Sequence, residues 1–166
     1  MQANPNPASP DETAEAIIAD YVKRSGVTIE HREGDSAFYN PAQDRIVLPM
    51  MAQFTETAEY YSTAFHEATH STGHKSRLNR FSIENAMFAS EDYSKEELTA
   101  EIGAACIMNS LGLETTGSFK NSAAYIQNWL AALKNDKRMI VGAAARAEKA
   151  VKMILDIKAN EQEEAA

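Results

Sequence analysis

The chain has 166 residues, of which 44% are hydrophobic and 24% charged, and its formal net charge is −8. This length and composition predict one soluble globular domain that buries a core without disulfides. The acidic balance argues against nucleic-acid binding by charge alone, and no apolar run is long enough to cross a membrane.

The first segment, residues 1–10, is polar and rich in proline, and we expect it to be disordered. It lacks the basic start and apolar stretch of a secretory signal, so the sequence predicts a cytoplasmic protein. Ser9, Pro10 and Glu12 predict a helix start with serine as the N-cap. The helix should end at Gly26. Its inward face should carry Ile17, Ile18, Tyr21 and Val22.

The next part of the chain changes from a helical to an alternating pattern and predicts three short strands. The runs rich in β-forming residues are 27–31, 37–39 and 45–48. Turn-forming residues separate them at 33–36 and 40–44. A small antiparallel sheet is the most economical interpretation. With the helices on either side, the predicted class is α+β.

A second helix is predicted from the run 55–65, which contains neither Gly nor Pro. Thr55 or Thr57 is a plausible N-cap for this helix. Gly73 is its natural terminator. The last turns of the helix therefore contain residues 66–70, which read His-Glu-Ala-Thr-His.

This H-E-x-x-H motif indicates zinc-hydrolase chemistry. His66 and His70 lie one helical turn apart on the same face, so both imidazoles can bind one zinc ion. Glu67 projects beside them as a general base toward a water that the metal acidifies. The alternative is an amphipathic helix with two exposed histidines and no metal. The position of the motif in the last turns of a predicted helix favours the metal site.

The segment 75–92 is predicted to be irregular, with a short helix at 83–88, and segments of this length often line functional sites. Three helices should follow, at residues 94–111, 122–134 and from 136 to about 159. Cys106 is the only cysteine and is expected to be a buried thiol in a reducing compartment. The predicted organisation is a single domain over residues 11–160 and an acidic tail over 161–166.

Catalytic zinc normally has a third protein ligand, and three residues compete for that role. If Glu97 binds the metal, Glu101 one turn later can hold the other nitrogen of a zinc-bound histidine. Alternatively, Ser94 and Glu97 form a capping box, and Glu101 is the ligand. His74 is the third candidate, but a metzincin motif requires histidine at position 76, which is Ser76. His74 is therefore expected to line the pocket.

The run from Tyr60 to Arg80 resembles the zincin-like metallopeptidase domain of ArdC-type antirestriction proteins. Related domains occur in TraC-type plasmid primases and phage polyvalent proteins. Further matching stretches are residues 37–39, 44–49, 96–105 and 124–130, so the resemblance covers roughly residues 12–155. It implies a gluzincin-type site in which Glu97 is the third ligand and Glu101 its hydrogen-bonding neighbour. ArdC-like proteins also carry an N-terminal domain that binds single-stranded DNA, and nothing in this sequence corresponds to it.

The leading hypothesis is a zinc-dependent peptidase domain of a mobile-element protein, with one Zn²⁺ per chain and a peptide or protein as substrate. A residue that stabilises the oxyanion should lie nearby. The candidates are His74, Arg77, Tyr93 and Tyr125. We expect no membrane partner and no strong nucleic-acid binding by this chain alone.

Two other functions are compatible with the sequence. The first is a non-catalytic module in which zinc serves structure or recognition, acting in antirestriction or conjugation. The second and weaker one is a DNA-binding domain. Its binding would depend entirely on a basic patch formed by Lys75, Arg77 and Arg80.

Overall fold

The computed structural model describes residues 7–81, 91–134 and 136–158. Within them, five α-helices, a short 3-10 helix at Met51–Gln53 and one three-stranded sheet confirm the predicted α+β class. The elements are α1 (Glu12–Ser25), β1 (Thr28–Arg32), β2 (Phe38–Asn40), β3 (Arg45–Pro49), α2 (Thr57–Ser71), α3 (Glu91–Ser110), α4 (Thr116–Ala132) and α5 (Lys137–Ile154). The helix predicted at 83–88, the acidic tail and most of the N-terminal segment lie outside the described residues.

The expectation of an antiparallel sheet was wrong, because the sheet is mixed. Its strand order is β1-β3-β2, with β1 parallel and β2 antiparallel to β3. β3 takes the centre because Ile46, Val47 and Leu48 are all buried there, whereas β1 and β2 are partly exposed. The five residues between β1 and β2 carry the chain past the position of β3. As a result β2 is an edge strand, and one side of its backbone is free of partners within the sheet.

The starts of α1 and α2 differ from the prediction. Asp11, not Ser9, caps α1, because its carboxylate accepts a hydrogen bond from the backbone N–H of Ala14. Glu56 occupies the N-cap position of α2 without a side-chain bond. The hydroxyl of Thr57 instead pairs with the backbone of Ser9, which ties the N-terminal segment to α2. The predicted end of α1 is confirmed, since Gly26 adopts a left-handed conformation with φ 76°.

The later helices were predicted in the right order but with wrong boundaries. α4 begins six residues before the predicted Ser122, because Thr115 and Ser118 form a capping box that outweighs the turn tendency of Gly117. Helix α5 begins after its N-cap Asp136 and ends at Ile154, short of the predicted 159.

The core is organised around α2, which packs between the sheet and helix α3. Tyr61 and Phe65 on α2 are fully buried, together with Tyr21, Leu48 and Ile107 from the surrounding elements. Burial of one such apolar side chain stabilises the fold by about 2 kcal/mol. The motif helix is therefore a central and rigid element of the domain.

Helices α2 and α3 approach each other closely at Gly103. A Cβ atom added there would lie 2.7 Å from Cγ2 of Thr69, which is fully buried and precedes His70. Only glycine allows this spacing without a shift, because a hydrogen bond from the hydroxyl of Thr69 to the carbonyl of Phe65 holds that side chain in place. Contact at this point brings the acidic residues of α3 to the histidines of α2.

The thiol of Cys106 is exposed, contrary to the expectation of a buried cysteine. Ile107 and Met108 occupy the inward face of α3, and the preceding position turns toward solvent. Among the described residues, none of the helices has the length and hydropathy that a membrane crossing would require.

Candidate metal centre

His66 and His70 point their Nε2 atoms at one another across a gap of 3.1 Å. The carboxylate of Glu97 closes the third side, with Oε2 at 3.4 Å from Nε2 of His66 and Oε1 at 3.3 Å from Nε2 of His70. One ligand atom from each of the three residues lies within 4.8 Å of the others. Two imidazoles and a carboxylate around one point are a donor set that suits zinc and other divalent transition ions.

The opposite nitrogen of each imidazole faces a carboxylate. Nδ1 of His70 lies 3.2 Å from Oε1 of Glu96, and Nδ1 of His66 lies 3.5 Å from Oε1 of Glu101. Such partners favour the tautomer that carries its proton on Nδ1 and leaves a lone pair on Nε2. Two lone pairs that face each other at 3.1 Å repel unless a proton or a metal ion lies between them. The orientation of both rings therefore fits a bound metal.

The carboxylates around the two histidines also favour a positive charge at this position. Burial alone would lower the pKa of His70, but hydrogen bonds to Glu96 and Glu97 raise it to about 10. Burial opposes ionisation of Glu97, yet hydrogen bonds from the two histidines hold its pKa below the usual range. Both shifts express the same preference for a cation beside these carboxylates.

The structure separates the two glutamates that competed for the third position. Glu97 faces both Nε2 atoms, whereas Glu101 faces only Nδ1 of His66. The alternative of a capping box does not hold, because α3 is already helical at Glu91 and Ser94 lies within it. Glu97 is therefore free of any N-cap role.

Glu96 and Arg80 belong to the centre and were missed by sequence reasoning. Arg80 donates to both carboxylate oxygens of Glu96, at 2.8 and 3.0 Å, and also to Thr72 Oγ1 and the carbonyl of Thr69. This pair holds Glu96 against His70. Glu97 and Glu101 were identified because they lie four residues apart on one face of a helix. Glu96 is not on that face, since its side chain leaves the helix about 100° from that of Glu97.

Glu67 is buried next to the two histidines, with only 6% of its surface exposed. Burial raises the pKa of its carboxyl, and the nearby imidazoles of His70 and His66 oppose that shift. The backbone N–H of Tyr39 on β2 donates a hydrogen bond to it. The edge strand thus fixes the position of the one acidic group of the motif.

A cavity of about 540 Å³ opens between β2 and helices α2 and α3. His66, Glu67, His70 and Glu97 line its floor. Tyr93 lies in the wall and hydrogen-bonds to Glu97, and burial together with that carboxylate raises its pKa to about 12. Its hydroxyl therefore remains a donor at neutral pH.

The remaining pocket candidates lie elsewhere. Arg77 forms an ion pair with Asp44 and donates to the carbonyls of Ser71 and Ser25, so it joins the ends of α1 and α2. His74 contacts Ser76 at 2.8 Å, outside the centre. Tyr125 lines a second cavity of about 350 Å³, to which His66 and Glu101 also contribute.

We expect the carboxylates behind the histidines to tune metal affinity without being required for it. Glu96→Ala and Glu101→Ala should each weaken metal binding about 10- to 100-fold, since each removes the partner that orients one imidazole. Glu91→Ala, an exposed acid on the same helix, is the matched control. Metal titration with a competing chelator measures the difference. If Glu101→Ala abolished binding while Glu97→Ala retained it, the ligand assignment would be reversed.

Several known proteins are similar to this chain. A family model described as a zincin-like metallopeptidase matches residues 12–146. Two DNA primases named TraC from Escherichia coli are each 44% identical to the chain, over 83% and 87% of its length. The matched parts are 9% and 13% of those primases, so the chain spans about a tenth of their length.

Two solved structures are also similar. The crystal structure of the antirestriction protein ArdC from plasmid R388, in its Mn(II)-bound form, aligns with a TM-score of 0.71 at 41% identity. The alignment covers 98% of this chain and 57% of that one. The metal-free form of the same protein aligns with a TM-score of 0.69 at 42% identity, over 93% of this chain and 53% of that one.

Proposed function

The chain belongs to the zincin-like metallopeptidase family, and from this premise we propose that it hydrolyses peptide bonds at the centre formed by His66, His70 and Glu97. One observation carries the proposal. The buried carboxylate of Glu67 lies beside two imidazoles whose Nε2 atoms converge, at the floor of a cavity that borders an edge strand. This arrangement suits the addition of water to a carbonyl.

Zinc is the ion that we propose, bound once per chain, because two imidazole nitrogens and one carboxylate oxygen are a donor set that catalytic zinc sites use. The ArdC protein from R388 was solved with Mn(II), and a divalent ion there supports one here. When bound, the ion lowers the pKa of a coordinated water and polarises the substrate carbonyl.

The residues of the chain supply the remaining chemistry. Glu67 accepts the proton of the attacking water and returns it to the leaving nitrogen. Tyr93 is the best placed of the four oxyanion candidates, since its protonated hydroxyl shares the cavity with the three ligands. The outer edge of β2 can align an extended peptide by strand addition at backbone groups other than the Tyr39 N–H, which Glu67 holds, and it places that peptide next to Glu67.

A non-catalytic role is the second candidate. The relatives carry the names of a primase and an antirestriction protein, and this chain covers only part of each. From the name of the R388 relative, we propose an antirestriction-type role in a mobile element. The DNA-binding alternative has weaker support, because Arg77 and Arg80 are both committed to buried ion pairs, with Asp44 and Glu96.

Hydrolysis itself tests the proposal. The protein stripped of metal with a chelator should not cleave a mixture of unstructured proteins and peptides, and one equivalent of Zn²⁺ should restore cleavage. Mass spectrometry of the products measures the outcome. Metal that binds tightly but produces no cleavage across a broad mixture would favour the non-catalytic candidate.

A further inference from the structure

Two cavities of different character meet at His66, which lines both. The first, which we call the aromatic cavity, is the 540 Å³ space beside β2. Its walls include the rings of Phe38, Tyr39, Phe81 and Tyr93. The second, which we call the polar groove, is the 350 Å³ space between α2 and α4. Its walls combine the polar residues Glu59, Ser62, Thr63, Ser118, Asn121 and Ser122 with the rings of Phe54 and Tyr125.

The aromatic cavity is suited to a bulky apolar side chain. Phe38 stands at the free edge of the sheet with 41% of its surface exposed, although most large apolar side chains of the described residues are buried or partly buried. A ring held open to water beside other rings gains from an apolar partner. An aromatic or long aliphatic side chain would cover it.

The polar groove has a different preference. Its wall contains Glu59, which is exposed and for which the described part of the chain provides no ion-pair partner. The other acids at the centre are already engaged, since Glu96 pairs with Arg80 and Glu101 faces His66. Neither cavity has a lysine or arginine among the described residues that line it. Hydroxyl groups and an unpaired carboxylate favour a cationic guest.

We propose that the cleft recognises an extended polypeptide segment with a bulky apolar side chain on one side of the metal centre and a lysine or arginine on the other. This specificity rests on the proposed peptidase function and defines its substrate class. The apolar side chain fills the aromatic cavity, and the basic side chain lies in the polar groove near Glu59. The acidic charge of the whole chain, −8, attracts the same kind of segment.

Binding without turnover tests the specificity separately from catalysis. The Glu67→Gln protein, loaded with Zn²⁺ and immobilised, is incubated with a mixture of random decapeptides, and the retained peptides are sequenced by mass spectrometry. Retained peptides should be enriched about 10-fold in aromatic or leucine residues and about 3-fold in lysine or arginine, at a constant spacing. The same mixture is given to the wild-type protein, and its cleavage reports on the proposed function alone.

Surface variants identify which cavity binds the apolar side chain and which binds the basic one. Phe38→Ser should remove the apolar enrichment and leave the basic one, and Glu59→Gln should do the reverse. Phe119→Ser and Glu12→Gln are the matched controls, because both residues are exposed and neither lines the aromatic cavity or the polar groove. Retained peptides without either preference, or preferences that survive both variants, would overturn the inference even if the wild type cleaves peptides. Enrichment without cleavage would support the inference and count against the peptidase.

Discussion

Glu67→Gln should lower the rate of peptide hydrolysis by about 10²- to 10⁴-fold while the protein keeps its fold and its metal. Glutamine has the size of glutamate and can still accept the hydrogen bond from the backbone N–H of Tyr39. It cannot accept the proton of the attacking water at neutral pH, so the loss should appear in the rate of the chemical step. Single-turnover cleavage measures this loss, and metal content and thermal unfolding are measured on the same sample.

Glu148→Gln is the matched control, because it makes the same change on the exposed surface of α5, where Glu148 pairs with Lys152. It should leave the rate unchanged. Equal rates for wild type and Glu67→Gln on every cleaved substrate would assign the cleavage to a contaminant. The non-catalytic candidate would then become the better account of the site.

His70→Ala should abolish stoichiometric metal binding and with it the stability that the metal adds. The ligands come from two separate helices, so a bound ion ties α2 to α3 and stabilises the folded state. At a free metal concentration about 1,000-fold above Kd, this amounts to about 4 kcal/mol in the free energy of unfolding. His66→Ala and Glu97→Ala should behave in the same way.

The comparison is made within each variant, with metal and with chelator, so that any destabilisation of the metal-free form cancels. His74→Ala is the matched control, since His74 lies one turn beyond His70 and, among the described residues, its imidazole hydrogen-bonds only to Ser76. It should retain the full shift in melting temperature. A His70→Ala protein that still gains stability from one equivalent of Zn²⁺ would mean that the ion binds elsewhere.

The sequence allowed prediction of those parts of the site that depend on helical periodicity. The one-turn spacings of His66 with His70 and of Glu97 with Glu101 give their relative directions without any knowledge of the fold. Which carboxylate faces which nitrogen depends on how α3 lies against α2, and that in turn depends on Gly103 and Thr69. Spacing rules contain no information about such a contact.

Sheet topology and the role of Arg80 could not be predicted for a related reason. The three short strands were recognised from their composition, but their order depends on the burial of β3 between its neighbours. Arg77 and Arg80 looked alike as basic residues after the motif. Only the fold shows that Arg77 holds the turn at Asp44, whereas Arg80 supports Glu96 behind His70.

The contact of Gly103 with Thr69 sets the distance between the two helices that form the metal centre. Neither residue is a ligand, yet the gap between their helices determines how far Glu97 stands from the two imidazoles. For protein engineers, even alanine at position 103 would therefore push α3 away from α2 or displace Thr69, and so disturb the centre without touching a ligand. Changing a ligand alters the donor chemistry, whereas changing position 103 acts on the distance between the donors.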